Sequence, residues 1–408
     1  MASSHLMLDT LSILSVLKIL LVMFITGSLL FYLAAIICTY QFFRQVKCQL
    51  QKPENCLQTD NFPEPAVAIL VPVCGLDPGA WANWTSFCQQ DYENYEVWFV
   101  AKEGNDPAVP VVQELQRQYP DRVNLLTDLP ARGPNHKDSN LSYVLENIQP
   151  DRLIFADSDI CVAPNYIRRV TEPLDHIEDG RTVGMVTCAY IARNPRYVGS
   201  AMASLARCCD FMPSLLIARQ LDGGVKLGIG VTMALTAEAL KAAGGLVYNR
   251  IGSDYNLGLR VDRAGYRVAL SDYVLESDTG NEPLRHLWQR ELRWARTIRF
   301  NRGAVYYGQI FCFGTVWALL LLLVSGWANW AIGLAVIALT LRYMQALSAI
   351  RSMEAHRLHH WFWLLPLRDL FSFAIWLGGG FGRTIFWRGR RLRISGDGEI
   401  EEMPASRN

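Results

Sequence analysis

Apolar residues follow two different rhythms along the chain. From Ile19 to Cys38 every position is uncharged, and roughly 20 apolar residues are what a helix needs to cross the hydrocarbon core of a bilayer. The pattern predicts a transmembrane helix over 11–40, with a short tail (1–10) before it and a linker (41–64) behind. A cleaved signal peptide is the competing reading, but the run is longer than a signal core and no small-residue cleavage pattern clearly follows. A second uncharged run, Ala304 to Leu341, is too long for one crossing and contains "SGWAN" (Ser325 to Asn329), suited to a tight turn. It predicts an antiparallel pair of spans over 306–344. A third apolar segment, Trp361 to Gly382 within 345–385, contains Pro366, Arg368 and Asp369. Charges inside a membrane are costly unless paired, so this segment can cross, re-enter or lie flat. A basic and then acidic tail, 386–408, closes the chain.

Over 65–305 the rhythm shortens to β-branched runs: "AVAILVPV" (66–73), "YEVWFVA" (95–101), "VNLLT" (123–127), "RLIFAD" (152–157) and "VGMVTCAYIA" (183–192). These read as buried strands, and intervening segments such as "AVPVVQELQRQYP" (108–120) place apolar residues at helical spacing. Alternating units of this kind build a mostly parallel sheet, so the predicted class is α/β. Ligands of such sheets bind beyond the carboxyl ends of the strands.

Composition sharpens the picture. Of 408 residues, 51% are hydrophobic and 19% charged, an unusually apolar balance that agrees with an integral membrane protein. Arg44, Lys47 and Lys52 behind the first span outweigh Lys18 before it, which predicts a cytoplasmic location for 65–305. Net charge is only +1 and no basic block carries interleaved aromatics, so nucleic acid is not an expected partner. Ten cysteines occur without a Cys-x-x-Cys pair, which argues against a zinc site.

Candidate chemistry gathers in the middle block. Asp106 follows the second predicted strand, and "DSD" places Asp157 and Asp159 at the end of the fourth, so three carboxylates should meet on one sheet edge. Such a pair can serve a hard divalent cation, although Asp-x-Asp is also ordinary strand-to-turn chemistry. In "NRIGSDYNLGLRVDRAGYRVAL" (249–270), Ser253 can cap a helix with Asp254 at its mouth. "WQRELRWARTIR" (288–299) reads by itself as an amphipathic interfacial helix, within 284–300. "CCDFMPSLLIARQL" (208–221) offers Phe211, Met212 and Leu215 as an apolar patch for a lipid acceptor or for core packing. His286 lies one turn before Arg290, where it can approach a leaving group or simply face solvent.

Taken in order, Asp106, "DSD", Asp254 and "RELRW" (290–294) resemble the D, D, D, (Q/R)xxRW signature of membrane-bound inverting glycosyltransferases. The chain is most similar to the ceramide glucosyltransferase family, which includes the bacterial hopanoid-associated enzymes. "FCQQDYENYEV" (87–97), "NHKDSNL" (135–141), "HLWQRELRWARTIR" (286–299) and the tail "FWRGRRLRI" (386–394) carry that likeness. The resemblance implies a GT-A-type nucleotide-sugar-binding domain flanked by N- and C-terminal transmembrane helices. It further implies that Asp106, Lys137, Asp157, Arg290, Arg293 and Trp294 hold a UDP-sugar, that Asp159 ligates Mg2+ or Mn2+, and that Asp254 is the general base. Ceramide is the acceptor it favours and a hopanoid polyol the alternative, with a processive polysaccharide synthase further behind. Relatives usually carry an acidic residue just before the base, where this chain has Ser253, so any role of a neighbouring carboxylate is open.

Overall fold

A computed structural model describes residues 2–50, 64–77 and 79–403, with side chains described from residue 13 to 45 in the first segment. Most of the linker, Lys52 with it, the side chains of the first twelve residues and of Lys47, and the last five residues lie outside this description.

The strands follow the β-branched runs: β1 (Val67–Val73), β2 (Tyr95–Ala101), β3 (Val123–Leu126), β4 (Arg152–Ala156), β5 (Ile177–Glu178), β6 (Arg181–Thr187), β7 (Tyr190–Ile191), β8 (Thr232–Thr236), β9 (Arg267–Leu270) and β10 (Leu275–Glu276). The main sheet runs β3-β2-β1-β4-β8-β6-β5, with β9 pairing beside β6. The pairs β2–β3, β1–β2, β1–β4 and β6–β9 are parallel, whereas β8 lies antiparallel between β4 and β6. The predicted run 183–192 is thus broken into β6 and β7. Its second part leaves the main sheet and pairs with β10.

β1 shows why the sheet is buried on both faces. Val67, Ile69, Val71 and Val73 enter one core with Trp84 and Phe87, while Ala68 and Leu70 enter the other with Leu141 and Val144. A strand covered on both sides reads as a continuous apolar run, as this one does. Its parallel neighbours bring the carboxyl ends of β1, β2 and β4 to one edge.

The N-terminal helix, Ala2–Leu50, contains an apolar stretch, Ile13–Gln45, long enough to cross a membrane. It packs on two helices, Gly314–Ser325 and Asn329–Ser352, joined by a turn in which Gly326 takes the left-handed conformation that ends the first of them. Ala331, Ala335 and Ala338 lie in the same buried cluster as Leu21 and Ile25, where small residues permit close helix approach. Gly314–Ser325 is bent by 58° from the preceding Leu284–Cys312. The segment Val198–Leu221 also has the length and composition of a span, but most of it is buried inside the protein.

The third apolar segment forms a short 3-10 stretch, His356–Leu364, and a helix, Leu365–Gly379. Fifteen residues extend only about 22 Å, short of a hydrocarbon core of roughly 30 Å. Its two charges are paired. Arg368 makes two bonds to Glu291, at 3.1 and 2.5 Å, and Asp369 accepts from Arg342 at 2.7 Å. Beyond it the basic tail forms a three-stranded antiparallel sheet, β11 (Thr384–Trp387), β12 (Arg390–Ile394) and β13 (Ile400–Glu402).

Candidate active site

The edge formed by β1, β2 and β4 carries the predicted carboxylates. Asp106 accepts from the Gly75 amide with both oxygens, at 3.0 Å each, and from the Ala108 amide at 2.8 Å. It ties the loop after β1 to the first turn of the helix Ala108–Gln118. Asp157 leaves the end of β4 and receives Lys137 Nζ at 2.5 Å, while Lys137 also donates to the Gly230 carbonyl at 3.2 Å. Burial raises the Asp157 pKa, Lys137 opposes that, and the Asp159 and Asp254 carboxylates add to it. Burial lowers the Lys137 pKa, but the charge and hydrogen bond of Asp157, with Asp138 and Asp254, raise it on balance. Asp159 accepts from the Ser277 hydroxyl at 3.2 Å.

Asp254 stands in the first turn of the helix Ser253–Arg263. Its Oδ2 accepts from the Gly230 amide at 2.8 Å. The same glycine thus holds the carboxylate through its N–H and the Lys137 ammonium through its carbonyl. Two close approaches make this possible: a Cβ on Gly230 would lie 2.8 Å from Asp254 Oδ2, and one on Gly258 would lie 2.4 Å from the Gly228 amide nitrogen. The predicted cap differs. Gly252, at φ 63°, precedes the helix, and Ser253 is already inside it.

The Ser253 hydroxyl donates instead to Asp138, a buried carboxylate of "NHKDSNL". Asn135 Nδ2 also donates to Asp138, at 3.1 Å. Burial pushes the Asp138 carboxyl up to about 6 against the pull of Ser253 and Lys137. A carboxylate near Asp254 is therefore present, supplied by the first turn of the helix His136–Leu145. Next to it, burial and the Arg390 guanidinium lower His136 to about 4. That agrees with Arg390 Nη1 lying 3.0 Å from a neutral His136 Nε2.

"RELRW" lies on the helix Leu284–Arg302, which buries Leu287, Glu291 and Ala295 at four-residue spacing. Arg290 Nη2 comes to 2.9 Å from Glu282 Oε2 without hydrogen-bond alignment, and its guanidinium lies over the Trp294 ring at 5.3 Å. Arg293 lies over Trp387 of β11 at 5.4 Å. Burial and Arg290 together lower Arg293 to about 10, and burial with Arg207 lowers Arg290. Cations held together at this expense form a receptive surface for an anion.

The remaining predicted residues divide. Met212 and Leu215 are buried in the main core, so they offer no surface to an acceptor. Phe211 is exposed, and His286 is exposed on the first turn of its helix. Sequence reasoning missed Asp138, Arg207, Ser277 and the sheet β11–β13. The hairpin tip of that sheet sends Arg388 to the Cys74 carbonyl at 3.2 Å and toward Asp77 at 3.5 Å. Arg207 was legible as the single charge in the run 198–209. A cavity of about 280 Å³ between the N-terminal helix and Leu216–Gly224 lies apart from all of these groups.

Asp159 and its neighbour Asp157 fit a divalent ion of limited protein ligation. Among the described residues no three His, Cys, Asp or Glu side chains converge as a metal cluster. One or two carboxylates completed by phosphate oxygens and water are what Mg2+ commonly takes.

Carboxylates at the sheet edge, a further one at a helix mouth and an arginine-rich helix are a set of groups that glycosyl transfer can use. The chain belongs to Glycosyl transferase family 21, whose profile matches residues 29–400. A ceramide glucosyltransferase of Komagataella phaffii is 24% identical, covering 92% of this chain and 91% of its own length. Ceramide glucosyltransferase 3 of Caenorhabditis elegans is 22% identical over 57% of this chain, and the match spans 50% of that protein. A beta-monoglucosyldiacylglycerol synthase of Trichormus variabilis is 24% identical over 57% of this chain and 48% of its own. Among solved structures, a mannosyltransferase of Pyrobaculum calidifontis in complex with GDP-Man and Mn2+ is 18% identical, covering 88% of this chain and 99% of its own, at a TM-score of 0.48.

Proposed function

We propose that this chain transfers a sugar, glucose first, from a UDP-sugar to the primary hydroxyl of ceramide with inversion, on the cytoplasmic face of a membrane. The observation that carries the reading is the placement of Asp254. One oxygen is fixed by the Gly230 amide, and among the described residues the other accepts no backbone bond, which leaves it to the acceptor hydroxyl. Near it are the Lys137–Asp157 pair and, on another element, Arg293 of "RELRW". Asp254 takes the proton of the lipid hydroxyl as general base. The oxygen attacks the anomeric carbon, the bond to the diphosphate breaks with its electron pair leaving on the phosphate oxygen, and an α-linked donor becomes a β-linked product. Arg290 and Arg293 stabilise the departing diphosphate as charge-assisted partners. Asp159, beside Asp157, would hold Mg2+ or Mn2+, which when bound neutralises charge on the leaving group. Asp106 and Asp157 keep the nucleotide edge in shape.

Apolar helices on both sides of the catalytic domain support a lipid acceptor, and the relatives named for ceramide support this one. A second acceptor, diacylglycerol, is favoured by the similarity to the Trichormus variabilis enzyme. The test is to incubate the detergent-purified chain and its Asp254→Asn variant with Mn2+, a panel of UDP-sugars and either ceramide, diacylglycerol or a hopanoid polyol. Mass spectrometry of the lipids reads the product. A hexosylceramide that is lost in the variant is expected; product on another lipid alone would replace the acceptor. Unchanged turnover in the variant would remove Asp254 as base.

A further inference from the structure

Arg207 is a charged side chain only 5% exposed, placed between two short apolar stretches of the segment Val198–Leu221. Removing a guanidinium from water is expensive unless an opposite charge and well-aligned hydrogen bonds compensate. Arg207 lacks that compensation. Its Nη1 donates to the Ser277 carbonyl at 3.0 Å and its Cζ lies 4.5 Å from the centre of the Tyr190 ring. Its Nε has no partner, and it takes part in none of the ion pairs among the described residues.

Its surroundings say what is missing. Ser277, which accepts from Arg207 through its carbonyl, donates through its hydroxyl to Asp159. Arg207 is thus one residue away from the carboxylate assigned to the cation. A cationic neighbour is Arg290, whose Nε also has no hydrogen-bond partner and whose Nη2 is ion-paired with Glu282 at 2.9 Å without hydrogen-bond alignment. The two guanidiniums are close enough to act on each other, and among the described residues Glu282 is the one carboxylate that pairs with Arg290. A single carboxylate does not balance them. The chemistry that does is an anion of more than one charge with several acceptor oxygens, presented beside Asp159.

We propose that Arg207 is a third arginine binding the donor's diphosphate, acting beside Arg290. This rests on the reading of the site as a UDP-sugar site. The planar fork of arginine suits phosphate oxygens, whereas lysine would offer a point charge. Tyr190 holds the fork from one face and Ser277 fixes its edge, so the group is oriented before the ligand arrives.

The experiment titrates the full-length protein in detergent, with Mn2+, against UDP and against uridine, comparing wild type, Arg207→Met and Arg207→Lys. Arg207→Met should weaken UDP binding about tenfold or more, the value of one charge-assisted contact, and leave uridine binding within about twofold. Arg207→Lys should recover part of the UDP affinity, and it decides the matter alone if the methionine variant does not fold. Equal loss of UDP and uridine affinity would mean that Arg207 only supports the fold and would overturn the proposal. Unchanged affinity for both would overturn it as well. If wild-type protein bound no UDP at all, the donor reading itself would fall, a different result from either.

Discussion

Replacing Gly230 by alanine should displace the Asp254 carboxylate while leaving every chemical side chain in place. The new Cβ would lie 2.8 Å from Asp254 Oδ2, 3.2 Å from its Cγ and 3.3 Å from its Cβ. Non-bonded heavy atoms settle nearer about 3.5 Å, so the carboxylate must retreat by roughly half an ångström or more. The backbone at Gly230 is not in the left-handed region, so alanine adds no conformational strain there. A misplacement of about 1 Å in a reacting group can lower a rate about 100-fold. The expected fall in kcat is therefore about tenfold to 100-fold, or about 1.4–2.8 kcal/mol in the barrier. UDP release by the full-length protein in detergent, at saturating donor and lipid, gives kcat, and a UDP titration gives donor affinity. The expected result is a lower kcat with UDP affinity retained. A kcat within twofold of wild type would refute the argument that this contact positions the base. Loss of UDP affinity would refute it differently, by assigning the effect to Lys137, which bonds the Gly230 carbonyl.

The pair Arg368–Glu291 is buried on both sides, so Arg368→Met should destabilise the protein by about 3–5 kcal/mol by leaving Glu291 uncompensated, and the double variant with Glu291→Leu should recover most of it. Thermal unfolding in detergent checks this, and equal stability of the single and double variants would sink it. Asp138 gives a pH test: its folded pKa, raised by burial to about 6 from an ordinary 3.8, means that the native state keeps a proton the unfolded chain has already released. Stability from this group is present below the ordinary value and falls as pH rises through about 4 to 6, by about 2–3 kcal/mol. The stability of Asp138→Asn relative to wild type should therefore grow across that window and level off above it, and a difference constant from pH 4.5 to 8 would be contrary.

Strand positions were readable because a two-sided buried strand leaves a continuous apolar run. β1 and β2 match their runs almost residue for residue. β7 was not separable from β6, since both are apolar and what divides them is a change of sheet. Among the site residues, Asp157 and Asp159 were legible from their place at a strand end. Asp138 sits within "NHKDSNL" with nothing local to mark it, because its partner Ser253 is 115 positions away and no local pattern joins them. Met212 and Leu215 illustrate the converse: a dense apolar patch looks alike whether it meets lipid or core, and only packing distinguishes them. The tail read as basic charge, yet Leu392 and Ile394 alternate with Arg391 and Arg393, and with Ile385, Ile400 and Ile251 they build a small core. That alternation was the available signal.

The adjacent charges Arg368 and Asp369 join two parts of the molecule that sequence alone keeps apart. Asp369 accepts from Arg342 of the helix Asn329–Ser352 and from Thr315 of the helix before it, while Arg342 also reaches Asp210 at 2.6 Å and Gln345 at 2.5 Å. Arg368 points the other way and holds Glu291, the residue between Arg290 and Leu292 in "RELRW". The short helix Leu365–Gly379 therefore fixes the arginine-bearing helix directly to the apolar helical pair. Isolated ions in a low-dielectric setting would be expelled, but in this arrangement each has a carboxylate or guanidinium of opposite sign and further hydrogen bonds. Removing either charge alone strands its partner, which ties the pair together as a unit. On this argument the helix that carries Arg290 and Arg293 is anchored to the apolar helices by the same contacts that keep these charges buried.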